Sequence, residues 1–249
     1  MSEAEAIPHK MMEDTPLSIL MPVSNEADVI EDVIEEWVRE VIQYLPAGSE
    51  LLIDEAASTD GTREILEALK KKYSFLRINY HETKEGFAAA ARNLYQDARC
   101  PLVFFTDSDG QYVPSEFWKL APYAGKYDLV HGAKIGRQDP LFRKISSASF
   151  NRIARVIFDE HYSDINSAFR IVRRETLLKI LPRVRCMPTL FNAEIMLRMA
   201  MENFSIKQVR VIHRKRLHGV SRGLPPSRYL WECLLAYQGL LKLKSEYKI

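Results

Sequence analysis

Short apolar runs alternate with amphipathic segments along the first half of the chain. A short apolar run predicts a buried strand, whereas apolar residues that recur every three or four positions predict a helix. By this pattern the first helix should run for about five turns from Val29 to Leu45. The runs that predict strands are LSILMPV (17–23), ELLID (50–54), LRINY (76–80) and PLVFFTD (101–107).

The alternation of strands and helices predicts the fold class. Further helices are expected at 58–73, capped by Ser58, Thr59 or Asp60, and at 85–98. In the second half, strands are expected at 128–134, 167–174 and 206–212, and helices at 141–158 and 191–202. Strands that alternate with helices require a parallel sheet with helices on its faces. We therefore expect an α/β fold with a mostly parallel sheet.

The chain shows no Gly- or Ser-rich linker, so a single domain is expected over 16–228. Residues 1–15 are acidic and lack the basic start and apolar run of a signal peptide, which predicts a flexible lead. Residues 229–249 should form a final amphipathic helix that either packs on the core or lies on a membrane surface. Its apolar and basic residues are Leu230, Trp231, Leu234, Leu235, Leu240, Leu241, Lys242 and Lys244.

Charge and composition limit the classes of partner that the chain is expected to bind. The net charge of +2 does not indicate a nucleic-acid partner, but the segment from Asn203 to Arg228 has seven Lys or Arg and no Asp or Glu. That segment requires an anionic partner or water. Three widely spaced cysteines predict neither a disulfide framework nor a zinc site. The chain contains no run of about 18 apolar residues, so the sequence predicts no membrane span. We expect a cytoplasmic protein, either free or peripheral at the cytoplasmic membrane face.

Polar residues follow each predicted strand of the first half, at 24–26, 54–55, 81–82 and 107–109. Ligands of such sheets bind outside the carboxyl ends of the strands. In the last of these groups, Asp107 and Asp109 are spaced to share a divalent cation such as Mg²⁺, which binds one or two carboxylates plus substrate phosphates. The same residue types are ordinary in surface turns, so the sequence context decides between the two interpretations.

Five motifs supply that context. In chain order they are PVSNEAD (22–28), STDGT (58–62), DSDGQ (107–111), NSAFRIVRR (166–174) and HRKRLHGVSR (213–222). Together they resemble family 2 glycosyltransferases of the Rossmann-like GT-A fold, with the greatest similarity to polyprenyl- and dolichyl-phosphate sugar transferases. The resemblance covers about Leu17 to Leu241.

The resemblance implies roles for residues at the donor side. Asp107 and Asp109 would bind Mg²⁺ or Mn²⁺ and the diphosphate of a nucleotide-diphosphate sugar, with Gln111 near the sugar. The residues of the first nucleotide-binding loop and of the second helix start would be Pro22, Asn25, Glu26 and Asp60.

Relatives usually carry two acids before the STDGT motif, and the second commonly reads the nucleobase. In an ungapped alignment Glu55 takes the first position and Ala56 the second, so one acceptor is missing. With a one-residue insertion the pair is Asp54 and Glu55, and the turn is longer. Either way we expect a working site with unusual base recognition.

On the acceptor side, the resemblance implies that Lys134, Arg143 and Ser147 hold the acceptor phosphate. Lys134 stands where relatives usually have arginine, which keeps the charge but loses the bidentate fork. Arg216, Ser221 and Arg222 of the basic loop would bind the diphosphate. Arg170 also lies at an element end, where its paired donors suit phosphate oxygens.

Glu194 lies near the position where hydroxyl-directed relatives carry a catalytic aspartate base. It is interpreted either as that base or as an exposed helical glutamate. The resemblance implies an inverting, metal-dependent transfer of a hexose to a polyprenyl phosphate. One alternative is transfer to a saccharide hydroxyl, and another is a non-catalytic module that binds a nucleotide sugar or a membrane. The sequence does not predict the oligomeric state.

Overall fold

The computed structural model describes residues 15–135, 141–158, 162–216 and 226–247, and the side chains of 141–145 and 226–230 lie outside this description. The strands are β1 (Leu17–Val23), β2 (Glu50–Ala56), β3 (Leu76–His81), β4 (Leu102–Phe105), β5 (Leu129–Ile135), β6 (Arg170–Arg173) and β7 (Ile206–Ile212). Within the described residues they form one sheet in the order β3-β2-β1-β4-β6-β5-β7.

Helices connect the strands and cover the sheet. They are α1 (Ile30–Glu40), α2 (Thr62–Lys72), α3 (Phe87–Asp97), α4 (Phe117–Leu120), α5 (Leu141–Phe158), α6 (Arg174–Ile180), α7 (Phe191–Met201) and α8 (Pro226–Tyr247). The strands from β3 through β4 pair in parallel, as the alternating pattern predicts. β6 runs antiparallel to both β4 and β5, and β7 is parallel to β5. The predicted mostly parallel α/β fold is confirmed.

An aromatic cluster joins the first helix to the middle of the sheet. The Trp37 ring of α1 lies 5.4 Å from Phe104 of β4 and 6.2 Å from Phe169, measured between ring centroids. The three side chains are at most 1% exposed. Burying side chains of this size stabilises the fold by roughly 2 kcal/mol or more each. This packing fixes the sheet whose strand ends carry the polar residues.

Three boundaries differ from the sequence-based prediction. α1 ends at Glu40 and is followed by a short 3₁₀ turn, because Pro46 holds the preceding Leu45 in an extended conformation. α2 begins at Thr62, after Gly61 in the left-handed region, and Asp60 caps it by accepting a hydrogen bond from the Thr62 N–H at 3.2 Å. α8 begins at Pro226, three residues before the expected start.

Candidate functional site

The carboxyl ends of β1, β2 and β4 lie side by side because β1 pairs with both of the other strands. Three polar loops therefore meet at this edge of the sheet, at 24–26, 57–61 and 106–111. The topology thus brings together the groups that the sequence places at the first, second and fourth strand ends.

The loop after β1 is tied to the loop after β2 through Asn25, which has a left-handed backbone with φ of 55°. Its N–H donates to the Ser58 hydroxyl at 2.8 Å, and its side-chain oxygen accepts from the Thr59 N–H at 2.8 Å. The left-handed backbone and both hydrogen bonds hold the turn in one shape. Asn25 therefore builds the loop on which a nucleotide would rest.

A second set of bonds joins the same two loops. The Glu26 N–H donates to the Thr62 hydroxyl at 2.8 Å, and that hydroxyl donates to Asp60 at 2.6 Å. Asp60 also accepts from the Ala27 N–H at 3.3 Å. Asp60 thus caps α2 and supports the loop after β1 with the same carboxylate.

The two acids of β2 face opposite sides of the sheet, because side chains alternate along a strand. Glu55 is fully buried, and its carboxylate accepts from the Ser58 N–H at 2.6 Å and from Arg63 at 3.0 Å. Asp54 is 1% exposed and lies 2.9 Å from Nε2 of His81. Both acids lie within β2, and Ala56 is the last residue of that strand.

Asp107 and Asp109 follow β4 in the middle of this edge. Burial and the neighbouring charge of Asp109 raise the pKa of Asp107 to about 7, and burial raises the pKa of Asp109 as well. The positive charge of Lys134 opposes both shifts. Asp109 accepts a hydrogen bond from the Gln111 N–H at 3.0 Å, which fixes its side chain.

This pair fits a divalent cation, since two half-buried carboxylates that repel each other are stabilised by positive charge between them. The described residues contain no group of three or more His, Cys, Asp or Glu side chains placed to hold a metal ion. A cation at Asp107 and Asp109 would therefore complete its shell with donor phosphates or water, as Mg²⁺ commonly does.

The basic segment after β7 crosses the loops of this edge. Arg214 donates to the Gly110 carbonyl at 2.7 Å and forms an ion pair with Glu36. Arg216 forms an ion pair with Glu26 and lowers the pKa of Asp109 by its charge. The segment thus brings positive charge to this edge of the sheet, close to Asp109.

A cavity of about 450 Å³ opens between α5 and α8. Lys134 and Ser147 are among its polar residues, and apolar atoms, including those of Phe150, Ile153 and Leu240, make up most of its lining surface. Lys134 is held at the end of β5 by Asp164, whose carboxylate accepts from the Lys134 N–H at 3.0 Å. The cavity therefore joins two residues predicted to bind the acceptor phosphate to an apolar compartment.

Several predicted residues lie outside the described part of the chain. Arg143 is in the first turn of α5, where only the backbone is described, and Ser221 and Arg222 lie in the basic loop beyond Arg216. Pro22, in contrast, lies within the described residues, in β1, where it pairs in register with Asp54 of β2. The roles of these residues remain predictions.

The interpretation of Glu194 as an exposed helical glutamate is wrong, because its side chain is 1% exposed. Its carboxylate accepts from the N–H groups of Arg185, Cys186 and Met187 at 2.9, 2.7 and 2.7 Å, and from Arg198 at 2.8 Å. Each oxygen already has two donors, so this carboxylate is poorly placed to take a proton from a substrate.

Arg170 lies at the start of β6, but its paired donors bind backbone carbonyls rather than a site open to phosphate. The side chain is fully buried and donates to the carbonyls of Ser167, Asn192 and Ile165 at 3.0, 2.8 and 3.2 Å. Arg170 therefore joins β6 to the turn before it and to α7. Its charge still acts on Asp107, whose pKa it lowers.

Two partners of the site have no motif of their own in the sequence. Asp164 holds Lys134, and Glu36 holds Arg214 from the middle of α1. Glu36 is one of five acids on the amphipathic α1, so the sequence does not single it out. Neither could be assigned a partner before the sheet order was known.

Among the described helices, none is both long enough and apolar enough to cross a membrane.

Comparison with known proteins supports the same family. An undecaprenyl-phosphate 4-deoxy-4-formamido-L-arabinose transferase from Pectobacterium carotovorum is 26% identical over 212 residues, which cover 83% of this chain and 62% of that protein. Glycosyltransferase AglJ from Haloferax volcanii is 29% identical over 166 residues, which cover 64% of this chain and 51% of that protein. The chain thus spans less than two thirds of the length of these relatives.

Solved structures share the fold at lower identity. Glucosyl-3-phosphoglycerate synthase from Mycobacterium tuberculosis in complex with phosphoglyceric acid gives a TM-score of 0.73 at 17% identity, covering 98% of this chain and 86% of that chain. Its complex with Mn²⁺, UDP and glucosyl-3-phosphoglycerate gives 0.69 at 20% identity, covering 93% and 80%. At this identity the likeness shows the fold alone.

The family assignment rests on the sequence model described as glycosyl transferase family 2, which matches residues 18–181. That match covers more than half of the chain and includes the first four motifs, of which the first three lie on the loops described above. The chain belongs to glycosyl transferase family 2.

Proposed function

We propose that this protein is an inverting, metal-dependent glycosyltransferase that moves a hexose from a nucleotide-diphosphate sugar to a polyprenyl phosphate. The observation that carries the proposal is the cavity between α5 and α8. Lys134 and Ser147 are among its polar lining residues, and most of its lining surface is apolar. An apolar compartment that contains a cation and a hydroxyl suits a lipid whose head group is a phosphate.

The comparisons support the two substrates separately. Relatives of this chain carry undecaprenyl phosphate in their names, and the structural neighbour was crystallised with Mn²⁺ and UDP. The half-buried pair of Asp107 and Asp109 fits the cation. When bound, such an ion acts as a Lewis acid on the diphosphate leaving group.

The chain's own residues would supply the remaining steps. Arg216 brings positive charge close to Asp109, where negative charge develops as the diphosphate departs. Lys134 acts on both carboxylates and also lines the cavity, so it lies between donor and acceptor. Arg143 and Ser147 would orient the lipid phosphate toward the anomeric carbon, and orientation of this kind supplies much of the rate.

A phosphate acceptor needs no general base because it is already an anion. This agrees with the geometry of Glu194, whose oxygens are occupied by backbone N–H groups and Arg198. An alcohol acceptor would require a base within hydrogen-bond reach of its hydroxyl.

A second candidate function, transfer to a saccharide hydroxyl, is favoured by one observation. Glu232 of α8 lines the same cavity, and its Oε2 is buried without a hydrogen-bond partner among the described residues. That carboxylate is the better placed base for a hydroxyl acceptor. If a saccharide is the acceptor, Glu232→Gln should lower turnover by about a hundredfold or more, whereas transfer to a lipid phosphate should change little.

The proposal includes attachment to a lipid surface through α5 and α8. Exposed apolar side chains of both helices surround the cavity, and exposed basic side chains lie among them. The apolar ones are Ile153, Val156, Trp231, Leu234, Tyr237 and Leu241, and the basic ones are Arg152, Arg155 and Lys242. This combination fits an anionic membrane interface.

The first experiment is transfer by the purified protein with Mn²⁺ or Mg²⁺, using GDP-mannose, UDP-glucose, UDP-galactose and UDP-N-acetylglucosamine as donors. The acceptor is a short polyprenyl phosphate or a saccharide. We expect one donor to give a lipid-linked sugar. Consumption of a donor only with the saccharide would support the second candidate, and no consumption at all would leave a binding module without catalysis.

Asp109→Asn should lower transfer by about a hundredfold or more, because it removes one of the two carboxylates that face the cation. Asp32→Asn on the exposed face of α1 is the matched control and should be as active as wild type. Full activity of the Asp109 variant would contradict the metal assignment.

A further inference from the structure

The missing acid at Ala56 leaves a defined position for another acceptor. Ala56 is the last residue of β2 and is paired in register with His81, the last residue of β3. Register partners on neighbouring strands project to the same face of a sheet. An acid at position 56 would therefore project to the face on which the His81 side chain lies.

His81 is held in place from two directions. The Arg63 side chain, anchored on the buried Glu55, donates to the His81 carbonyl at 2.7 Å. On the imidazole, Nε2 lies 2.9 Å from the carboxylate of Asp54, which is two residues before Ala56 and so faces the same side. Both the backbone and the ring of His81 are thus fixed.

The Asp54 contact also decides which nitrogen carries the hydrogen. An ionised carboxylate only accepts hydrogen bonds, so Nε2 must donate, and in the neutral ring Nδ1 remains an acceptor. Among the described residues, only Asp54 hydrogen-bonds the imidazole. The His81 side chain is 25% exposed, so the ring reaches the ligand edge of the sheet.

We propose that His81, oriented by Asp54, reads the nucleobase of the donor by accepting a hydrogen bond from a ring N–H, in place of the acid that Ala56 lacks. This inference rests on the proposed function and assigns the donor's base class. Uracil and guanine each carry a ring N–H on the edge concerned, whereas cytosine and adenine present a ring nitrogen acceptor there. The site should therefore prefer uridine or guanosine diphosphates.

The test is calorimetric binding of UDP, GDP, ADP and CDP in the presence of Mn²⁺. Wild type should bind UDP or GDP about tenfold or more tightly than ADP and CDP, since one buried hydrogen bond changes affinity by roughly that factor. His81→Ala should reduce this preference to about twofold or less. Asn79→Ala, two residues earlier on β3, is the control and should keep the preference.

Rescue separates recognition from structural damage. Adding Ala56→Asp to the His81→Ala variant supplies an acceptor on the same face and should restore the preference. Asp54 is a positioning residue, and Asp54→Asn should weaken the preference because the amide can donate to Nε2 and move the hydrogen to Nδ1.

The outcomes distinguish this inference from the proposed function. If wild type binds UDP or GDP preferentially and His81→Ala keeps the full preference, the role of His81 is overturned while the glycosyltransferase proposal stands. Preferential binding of ADP or CDP by wild type would also overturn it. If none of the four nucleotides binds, the proposed function itself fails, and the inference fails with it.

Discussion

At the scale of single residues, the acids of this chain are distinguished by how many donors already surround them. Glu55 and Glu194 are buried with hydrogen bonds to both oxygens, so they stabilise loops. Asp107 and Asp109 lie half-buried beside each other, and their pKa values are raised. Ionising both carboxylates of this pair is costly without a cation. The pair is therefore a better candidate for a role in the reaction than Glu55 or Glu194.

Glu194→Gln should therefore destabilise the protein without removing the chemical step. The change breaks the buried ion pair with Arg198 and weakens three backbone hydrogen bonds, which should lower the free energy of unfolding by about 3 kcal/mol. Chemical denaturation measures this loss, and the turnover of the folded fraction should stay near that of wild type.

The control for this change is Glu175→Gln on α6, whose exposed ion pair with Lys179 should matter little to stability. A drop in turnover of several orders of magnitude for Glu194→Gln at unchanged stability would assign Glu194 as a base. That result would favour a hydroxyl acceptor.

Single residues also show the limit of reading the sequence alone. Asp107 and Asp109 could be singled out because two acids and a glycine directly follow a buried strand. Glu194 could not be interpreted correctly, because its hydrogen-bond donors at 185–187 belong to a turn with no sequence pattern. Lys134 could be singled out by resemblance, but its partner Asp164 is 30 residues away.

At the scale of elements, periodic segments were predictable and irregular ones were not. The bounds of α5 at Leu141–Phe158 and β7 at Ile206–Ile212 match the predicted segments, since the hydrophobic pattern of each is complete. α4 and α6 were not predicted because they are short, at four and seven residues. The reversed direction of β6 follows from sheet pairing, which a local pattern does not contain.

The final helix could be interpreted only in part. α8 packs on the core through buried Ala236, Leu240 and Leu243, and it also exposes apolar side chains. One side of α8 therefore packs on the core, and the opposite side is the one that would suit a membrane surface. The packing is observed, and the membrane role remains a proposal.

The membrane proposal predicts binding to vesicles that contain anionic lipid. The double variant Trp231→Ala and Leu241→Ala removes side chains that are 60% and 45% exposed, and it should weaken binding by about tenfold or more. Flotation or co-sedimentation measures the bound fraction. Higher salt should weaken binding further, because Arg152, Arg155 and Lys242 contribute by charge.

Ile212→Ala is the matched control for this experiment. Its side chain is 47% exposed but belongs to β7 and not to α5 or α8. It should bind vesicles as wild type does. Equal binding by the double variant and wild type, or equal binding to vesicles without anionic lipid, would contradict the proposed surface.

At the scale of the whole molecule, the centre of the sheet is unusual in holding buried positive charge. His131 of β5 and Arg170 of β6 are register partners, and both are fully buried. Burial and the charge of Arg170 lower the pKa of His131 to about 3, so the ring is neutral in the folded protein. The sheet therefore holds the permanent charge of Arg170 here, and a second positive charge on His131 would be costly.

This arrangement predicts how stability depends on pH. The pKa of a histidine in the unfolded chain is about 6.5, so on acidification the unfolded state takes up this proton first. The stability contributed by neutral His131 is fully present above about pH 6.5 and is lost as the pH falls toward 3. The loss should approach about 1.4 kcal/mol per pH unit.

Asp107 acts in the opposite direction, because its raised pKa lets the folded state take up a proton first as the pH falls. The difference in unfolding free energy between wild type and a His131 variant therefore isolates the contribution of His131 better than the wild-type curve alone. His131→Gln keeps a donor toward the Ser163 carbonyl, which lies 3.3 Å from the histidine Nε2, and it cannot titrate in this range. Unfolding of both proteins should be measured between about pH 7.5 and about pH 4.5. The variant should be less stable than wild type at the upper end and should lose less stability toward the lower end. Two curves that stay parallel would show that His131 is not kept neutral by the fold.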